Sequence, residues 1–427
     1  MESATESSAE SAVLSILHKN ISLLNGEMKE REASVIHRVL LFTPSIRKCL
    51  RLSDIESAVK EFVSESSPFR SPMLEIIAKY NNVTSNASPA VKASKDIVDY
   101  YLASILMYML LSIGKYEDCL SLINMVITHF MTEGYMDIQK EYIISRACTY
   151  LMVLYNRHFA IPSLLPTLLS NYRICCLHNN NIARSALYNC ILRVYVSEKQ
   201  YLTATHFIAS APFPENVSDK QYIRYSYYKA LVSTVLLDYS GAEHAIFTIH
   251  KKSGGQEIGP FYGEVEKLSI LVTLLIGEKP DLSELKNARN VAPYLELATA
   301  VMRGDLNAYR RVLTQRHSCF KEDGLDRIVN RLHNTVIRIA LVKLCKSYSR
   351  ISLAEIASVL QLDGAEEARY TCMRNIRDGI VTGSIEGDYF VTEDRETGVV
   401  SSRPKELFSR RIDFCLNLRK EIINSSV

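Results

Sequence analysis

Ten cysteines, a histidine pair on one helix and a single glycine-rich run are the places where this 427-residue chain could do chemistry. The cysteines stand at 49, 119, 148, 175, 176, 190, 319, 345, 372 and 415, and no two form a C-x-x-C pair. Neither a zinc ribbon nor a thioredoxin-like dithiol is therefore encoded, and thiols scattered through apolar runs read as buried packing residues of a reducing compartment. Cys175 and Cys176 are helical neighbours that point in different directions. His244 and His250 are six apart, so about 600° of helical rotation leaves them roughly 120° off a common face, poor geometry for shared metal ligation. The run SGGQEIG at 253–259 lacks the Lys-Ser/Thr of a phosphate-binding loop. Motifs of the form G-x-S-x-G, H-E-x-x-H and H-x-H are absent as well. Glu366 and Glu367 are adjacent carboxylates, but on the first turn of a helix they favour its dipole and need no catalytic explanation. No catalytic residue, metal ligand or cofactor site is expected.

The elements that carry these residues are helical. Gly (16) and Pro (12) are scarce, Trp is absent, and 24 Tyr suit half-buried packing positions on amphipathic helices. The formal net charge of +3 does not suit a general polyanion binder. Residues 1–11 are acidic and Ser-rich, with neither the charge nor the apolar run of a leader peptide, and are expected to be disordered. Tyr100–Ile113 is the longest apolar stretch; at 14 residues with three Tyr and two Ser it falls short of the ~20 that a membrane span needs. A soluble, intracellular protein is expected.

Residues 12–94 read as a few helices broken at SSPFRSP and NNVTSNASP. From 95 to 320 the texture is paired amphipathic helices, Asp96–Ile113 before Glu117–Met131 being the clearest. Their joints, GKY (114–116), EKQY (198–201), DYSGA (238–242) and GDLNAY (304–309), recur in type. Such hairpins cannot bury their apolar faces alone, so they stack into a right-handed helical-repeat solenoid like that of tetratricopeptide (TPR) arrays. One long helix is expected over Glu322–Lys346.

Residues 347–392 then spell a helix-turn-helix and a hairpin. Ser352 with Glu355 forms a capping box for a helix Leu353–Leu360. Gln361–Gly364 is the turn, with Asp363 as a candidate cap, and Ala365–Arg377 the second helix. Ile380–Ile385 and Tyr389–Thr392 are β-prone on either side of Glu386–Asp388, which completes a winged helix. The charge is unsuited to nucleic acid: Tyr348–Arg403 holds six Arg and no Lys against ten acidic residues, net −4. Protein contact is the reading favoured. After Arg403-Pro404 a last helix, Glu406–Ile423, carries Phe408, Ile412, Cys415 and Ile422 on one stripe and Leu407, Phe414 and Leu418 on another. Two apolar sides suit docking among helices of other chains, and packing on its own domain fits the pattern equally well.

A helical solenoid, a winged helix and a lone terminal helix resemble the PCI-domain family of the proteasome lid, the COP9 signalosome and the translation initiation factor that holds the small ribosomal subunit. RYSYYKALVSTVLLDYSGA (224–242), EKLSILVTLLIGEKPD (266–281), VAPYLELATAVMRGDLNAY (291–309), the stretch 327–370, RNIRDGIVTGSIEG (374–387) and SRRIDFCLNLRKE (409–421) carry the likeness. The stretches RYSYY, LLIGEKPD and RIDFCL favour a lid subunit over its signalosome paralogue. The similarity spans roughly 140–423, whereas residues 1–94 match poorly and the acidic tail usual after the terminal helix is missing.

The resemblance implies an all-α-dominated fold with a small β-sheet, divided as residues 1–11, helices 12–94, solenoid 95–320, winged helix 321–403 (the PCI domain as a whole about 222–403) and bundle helix 404–427. It implies a non-catalytic scaffold without cofactor, cytoplasmic and nuclear, serving ubiquitin-dependent protein degradation as part of a hetero-oligomer. Its partners would be other PCI-domain lid subunits, the lid deubiquitinase pair through the terminal helical bundle, and a small acidic tether subunit, with no nucleic acid and no membrane. Expected contact residues are Tyr389, Phe390, Val391 and Thr392 as an open strand edge, and Phe408, Ile412, Cys415, Leu418 and Ile422 on the terminal helix. Membership of the signalosome or the initiation factor, and a winged-helix nucleic-acid binder, are the alternatives.

Overall fold

The structure is a computed structural model that describes residues 15–24, 38–39, 43, 50–64, 67–80, 96–133, 138–158, 165–215, 217–253, 260–280, 291–392 and 403–425. The expected disorder of residues 1–11 lies outside this set. The chain divides into two units, Met1–Gln256 and Glu257–Val427. After a helical stretch at 15–24, the first holds α1 (Leu52–Phe62), α2 (Arg70–Tyr80), α3 (Asp96–Ile113), α4 (Tyr116–Glu133) and α5 (Ile138–His158). It continues with α6 (Leu165–Leu177), α7 (Asn181–Ser197), α8 (Tyr201–Ser210), α9 (Asp219–Val235) and α10 (Tyr239–Ser253).

In the first unit several of the successive helices reverse through one recurrent turn. After α7, Lys199 takes a left-handed φ of 61°, its N–H donates to Val196 O (3.0 Å), and the N–H of Gln200 donates to Tyr195 O (2.8 Å). The same pair of bonds closes α6 at Asn179 (φ 59°) and α9 at Leu237 (φ 73°). This is the Schellman arrangement, in which a left-handed residue lets the last carbonyls find donors as the chain turns.

Between the turns the core is aliphatic and tyrosine-rich. α3 is long and apolar enough to cross a bilayer by composition, yet every residue from Ile97 to Met107 is buried, with α1, α4 and α5 packed around it. Tyr188 of α7 meets Phe207, Phe213, Tyr172 and Tyr225 within 6.0 Å, and Phe213 stacks on Tyr225 at 4.3 Å. The Tyr188 hydroxyl donates to Ala211 O at 3.0 Å, which satisfies the one polar atom this ring brings inside. Three helices are keyed together by amides: Asn189 Nδ2 donates to Gln221 O (2.9 Å) and Oε1 (2.8 Å), and Gln221 Nε2 to Ser145 Oγ (3.4 Å).

The second unit begins with α11 (Pro260–Ile276), α12 (Ala292–Arg303), α13 (Leu306–Glu322) and α14 (Asp326–Ser347). The long helix expected from Glu322 starts four residues later, because Gly324 (φ 71°) closes α13 with the same turn and leaves Asp323–Leu325 as a joint. Gly304 (φ 65°) ends α12 likewise. A Cβ there would stand 3.0–3.3 Å from Ala340 of α14, so the left-handed conformation and the close helix approach both favour glycine. Lys267 of α11, only 4% exposed, is held by Glu264 Oε1 (2.9 Å) and by Asp323 Oδ1 and Oδ2 (2.9 and 3.0 Å). The Tyr294 hydroxyl donates to Asp323 Oδ2 at 2.7 Å. Burial pulls the Lys267 ammonium down, but its bonds to Glu264 and Asp323 outweigh that and hold it above the ordinary lysine range.

β1 (Arg350–Ser352), α15 (Leu353–Leu360), α16 (Ala365–Arg377), β2 (Gly383–Glu386), β3 (Tyr389–Thr392) and α17 (Arg403–Ser425) complete the unit. The capping box of α15 forms as expected, Glu355 N–H to Ser352 Oγ at 3.2 Å and Ser352 N–H to Glu355 Oε2 at 3.4 Å. Asp363 does not cap α16; the cap is Gly364, and Glu367 Oε2 instead accepts the Asp363 N–H at 2.8 Å. The sheet order is β1-β3-β2, all antiparallel, with Phe390 paired to Ile351 on one side and Ile385 on the other. Phe390 is fully buried, and a Cβ at Gly383 would come 2.8 Å from its ring.

Two substitutions test these placements. Gly383→Ala should destabilise the wing by about 1–3 kcal/mol through overpacking on Phe390, seen as faster amide exchange in β2 and β3 with α1–α10 unchanged. Asp99 on α3 is 4% exposed, with Oδ1 unpartnered among the described residues. Burial, with Asp96 adding, raises its pKa to about 6 against the opposing effects of Ser67 and Lys140. The folded protein thus binds this proton more tightly than the unfolded chain, so the penalty is full above pH 6 and gone below the ordinary carboxylate value. Asp99→Asn should therefore stabilise the protein by about 1–3 kcal/mol at pH 7.5, with the gain fading between pH 6 and 4 in denaturant titrations.

Candidate assembly surface

Several of the thiols that could have done chemistry are buried. Burial pushes the thiols of Cys119, Cys175, Cys190 and Cys372 up to about 12, so they stay protonated and unreactive. Cys415 is the exposed one among the described cysteines. No group of three or more His, Cys, Asp or Glu side chains among the described residues is arranged to hold a metal ion. Cys49 and residues 254–259 of the glycine-rich run lie outside the described residues.

The helix-turn-helix presents a surface suited to protein. α16 starts with exposed Glu366 and Glu367, and its outer face carries Tyr370 (68% exposed) and Met373 among Arg369, Arg374 and Arg377. Arg377 is turned to Asp378 at 3.3 Å, and Asp378 also holds Arg338 of α14 at 3.1 Å. One carboxylate thus moors the end of α16 to the long helix and removes an arginine from the set free to meet phosphate. Arg310 Nη1 donates to Gln361 Oε1 at 3.0 Å, which fixes the turn between α15 and α16 to α13.

The wing requires a correction. Tyr389–Thr392 is the central strand of the sheet, paired on both sides, so it offers no open edge, and Phe390 is core. The reason is β1, a three-residue strand just ahead of α15 that is too short to stand out in the sequence. The two-residue loop Gly387-Asp388, with Gly387 at φ 61°, makes Glu386 and Tyr389 a hydrogen-bonded pair. Alternation then turns the backbone N–H and C=O of Gly383 and Ile385 away from β3. On the far side, bonds from Thr392 N–H to Ser349 O and from Leu353 N–H to Asp388 O (both 2.9 Å) set the opposite phase. Arg350 and Ser352 therefore point outward from β1, and the Ser352 N–H is already taken by Glu355. Among the described residues β2 is the longer of the two edges without a further strand beside it. Arg350 lies over the Tyr389 ring at 4.5 Å, which leaves Tyr389 half-exposed beside β1.

α17 is the other uncovered surface. Phe408 and Phe414 are each 65% exposed and Ile412 57%, and Leu407, Leu418 and Ile422 are exposed too. Every residue of this helix whose side chain is described is exposed, on both expected stripes. Packing of α17 on its own domain, the alternative left open by the sequence pattern, is not what the structure shows. Leu416 and Ile423, also exposed, extend the apolar surface beyond the residues chosen from the sequence.

Sequence comparison agrees with this layout and reaches further toward the N-terminus than residues 140–423. A family profile described as PSMD3-like, N-terminal TPR repeats matches residues 9–298, and one described as PCI domain matches 306–389. The chain is 29% identical over 423 residues to the probable 26S proteasome regulatory subunit rpn3 of Schizosaccharomyces pombe, covering 97% of this chain and 85% of that one. It is 27% identical to the probable 26S proteasome non-ATPase regulatory subunit 3 of Nicotiana tabacum, over 98% of this chain and 88% of the other. The 26S proteasome non-ATPase regulatory subunit 3 of Dictyostelium discoideum is 27% identical over 96% and 84%. With paired helices closed by one recurrent turn, a winged helix of acidic character and these matches along nearly its whole length, the chain belongs to the PSMD3-like family of TPR and PCI-domain proteins.

Proposed function

We propose that this protein is a non-catalytic structural subunit of the regulatory-particle lid of the 26S proteasome, and so supports ubiquitin-dependent protein degradation. The relatives named above are proteasome regulatory subunits. The observation that carries the assembly reading is α17, a 23-residue helix whose described side chains are all exposed and which carries large apolar residues on two faces. Each such side chain buried on assembly contributes roughly 1.5–3 kcal/mol. Phe408, Ile412, Cys415, Leu418 and Ile422 would dock in a bundle with the terminal helices of other subunits, the lid deubiquitinase pair among them.

A second contact is the β2 edge, where Gly383 and Ile385 present backbone groups to a strand of a neighbouring winged helix. Of the wing residues named from the sequence, Tyr389 would serve by its half-exposed ring and Phe390 only by supporting the sheet from within. Val391 and Thr392, in the paired central strand, would act through the sheet's face. Two modest contacts on one chain give avidity that neither gives alone. The partners would be the other PCI-domain lid subunits and a small acidic tether subunit, in a hetero-oligomer found in cytoplasm and nucleus.

Phe408→Asp with Ile412→Asp should leave the helical content and melting of the isolated protein unchanged, since neither side chain is buried. The double variant should fail to co-purify with the other lid subunits, with recovery down about tenfold or more, the equivalent of at least ~1.4 kcal/mol. Wild-type recovery of the lid would sink this reading, and the identity of wild-type partners by mass spectrometry separates lid from signalosome membership.

A further inference from the structure

The exposed side chains of α16 follow an order that reads the same from either end once the charges are exchanged. Tyr370, 68% exposed, stands in the middle of the outer face. Glu366 precedes it by four residues and Arg374 follows it by four, each about 6 Å along the axis and about 40° round it from the ring. Glu367 and Met373 stand three residues to either side, Met373 being 44% exposed. Glu366 and Arg374 are exposed, and neither side chain makes an ion pair or hydrogen bond among the described residues. With about 12 Å of helix between them they are too far apart to neutralise each other. Arg377, by contrast, is already held by Asp378 at 3.3 Å.

We infer that the unassembled protein pairs with a second copy of itself through α16, in an antiparallel contact with its two-fold axis at Tyr370. That arrangement satisfies the order twice over. Arg374 of each copy would meet the first-turn carboxylates Glu366 and Glu367 of the other, while the two Tyr370 rings meet at the axis and Met373 fills the space beside them. A parallel pair would set acid against acid and arginine against arginine, so the charges select the orientation as well as the partner. The net −4 of residues 348–403 does not forbid the contact, because at physiological salt it is screened beyond about 8 Å while the facing charges lie closer than that. One helix pair buries far less than the ~1,600 Å² of a standard interface, so the dimer is weak and reversible. The inference needs neither α17 nor the β2 edge, and it stands apart from membership of the lid.

The test uses the full-length Phe408→Asp/Ile412→Asp protein as parent, so that α17 adds no apolar contact of its own. Sedimentation equilibrium should show monomer and dimer with a Kd of about 10–200 μM. Glu366→Arg and Arg374→Glu, each introduced alone, should weaken pairing about tenfold or more. An equimolar mixture of those two variants should pair again, because each arginine then faces a carboxylate on the other chain. Tyr370→Ser should weaken pairing without any such rescue. All three side chains are exposed, so circular dichroism should not change, and Glu367 is left in place because it holds the Asp363 N–H. Rescue by mixing is an outcome that misfolded variants could not give. A parent that stays monomeric up to about 300 μM, charge variants that pair as well as the parent, or a mixture that pairs no better than its components would each overturn the inference.

Discussion

Two helices can lie antiparallel across a two- or three-residue joint only if one residue of that joint turns left-handed, and this constraint recurs throughout the structure. The chain meets it at Gly114, Asn179, Lys199 and Leu237 in the first unit and at Gly304 and Gly324 in the second. Three of these six are not glycine, and a left-handed L-residue costs roughly 1–2 kcal/mol. That strain persists because the reversal brings two apolar faces together, and burial of a few large side chains outweighs it. Where a turn must also admit a second helix, as at Gly304 beside Ala340, a Cβ would crowd the facing backbone as well.

Polar groups then fix which of many possible stackings is adopted. Leucine and tyrosine faces tolerate sliding, but a buried amide or ammonium does not, because each misplacement leaves it unpaired. Asn189, Gln221 and Ser145 set α5, α7 and α9 against one another, and Lys267 with Glu264, Asp323 and Tyr294 does the same for α11, α12 and the end of α13. Removing one member of a buried ion pair typically costs 3–5 kcal/mol, whereas the intact pair adds little. The Lys267 cluster is thus better understood as a register key than as a source of stability.

Much of this was legible in the residues because it is local. The helix Asp96–Ile113 and both helices of the helix-turn-helix have their bounds where capping and periodicity put them, and the Ser352–Glu355 box forms as its spacing requires. What the sequence hid is non-local. β1 is three residues long and acquires its identity only by pairing with β3, some forty positions later, so the wing's central strand looked like its edge. The break at Asp323–Leu325 was obscured because the apolar period runs on through it and only Gly324 marks the turn.

Charge and exposure set what this unit can offer a neighbour. The β2 edge would present backbone groups and α17 an apolar surface, while the winged helix carries net negative charge. Edge pairing and apolar burial are individually permissive, so specificity has to come from requiring them at once, at fixed spacing. The moorings supply that spacing within the helix-turn-helix: Asp378 ties α16 to Arg338 of α14, and Arg310 ties the intervening turn to α13. A partner that matches the β2 edge but meets the acidic first turn of α16 with carboxylates of its own would be repelled. The net −4 of residues 348–403, unfavourable for holding nucleic acid, would thereby act as a filter on which proteins could dock.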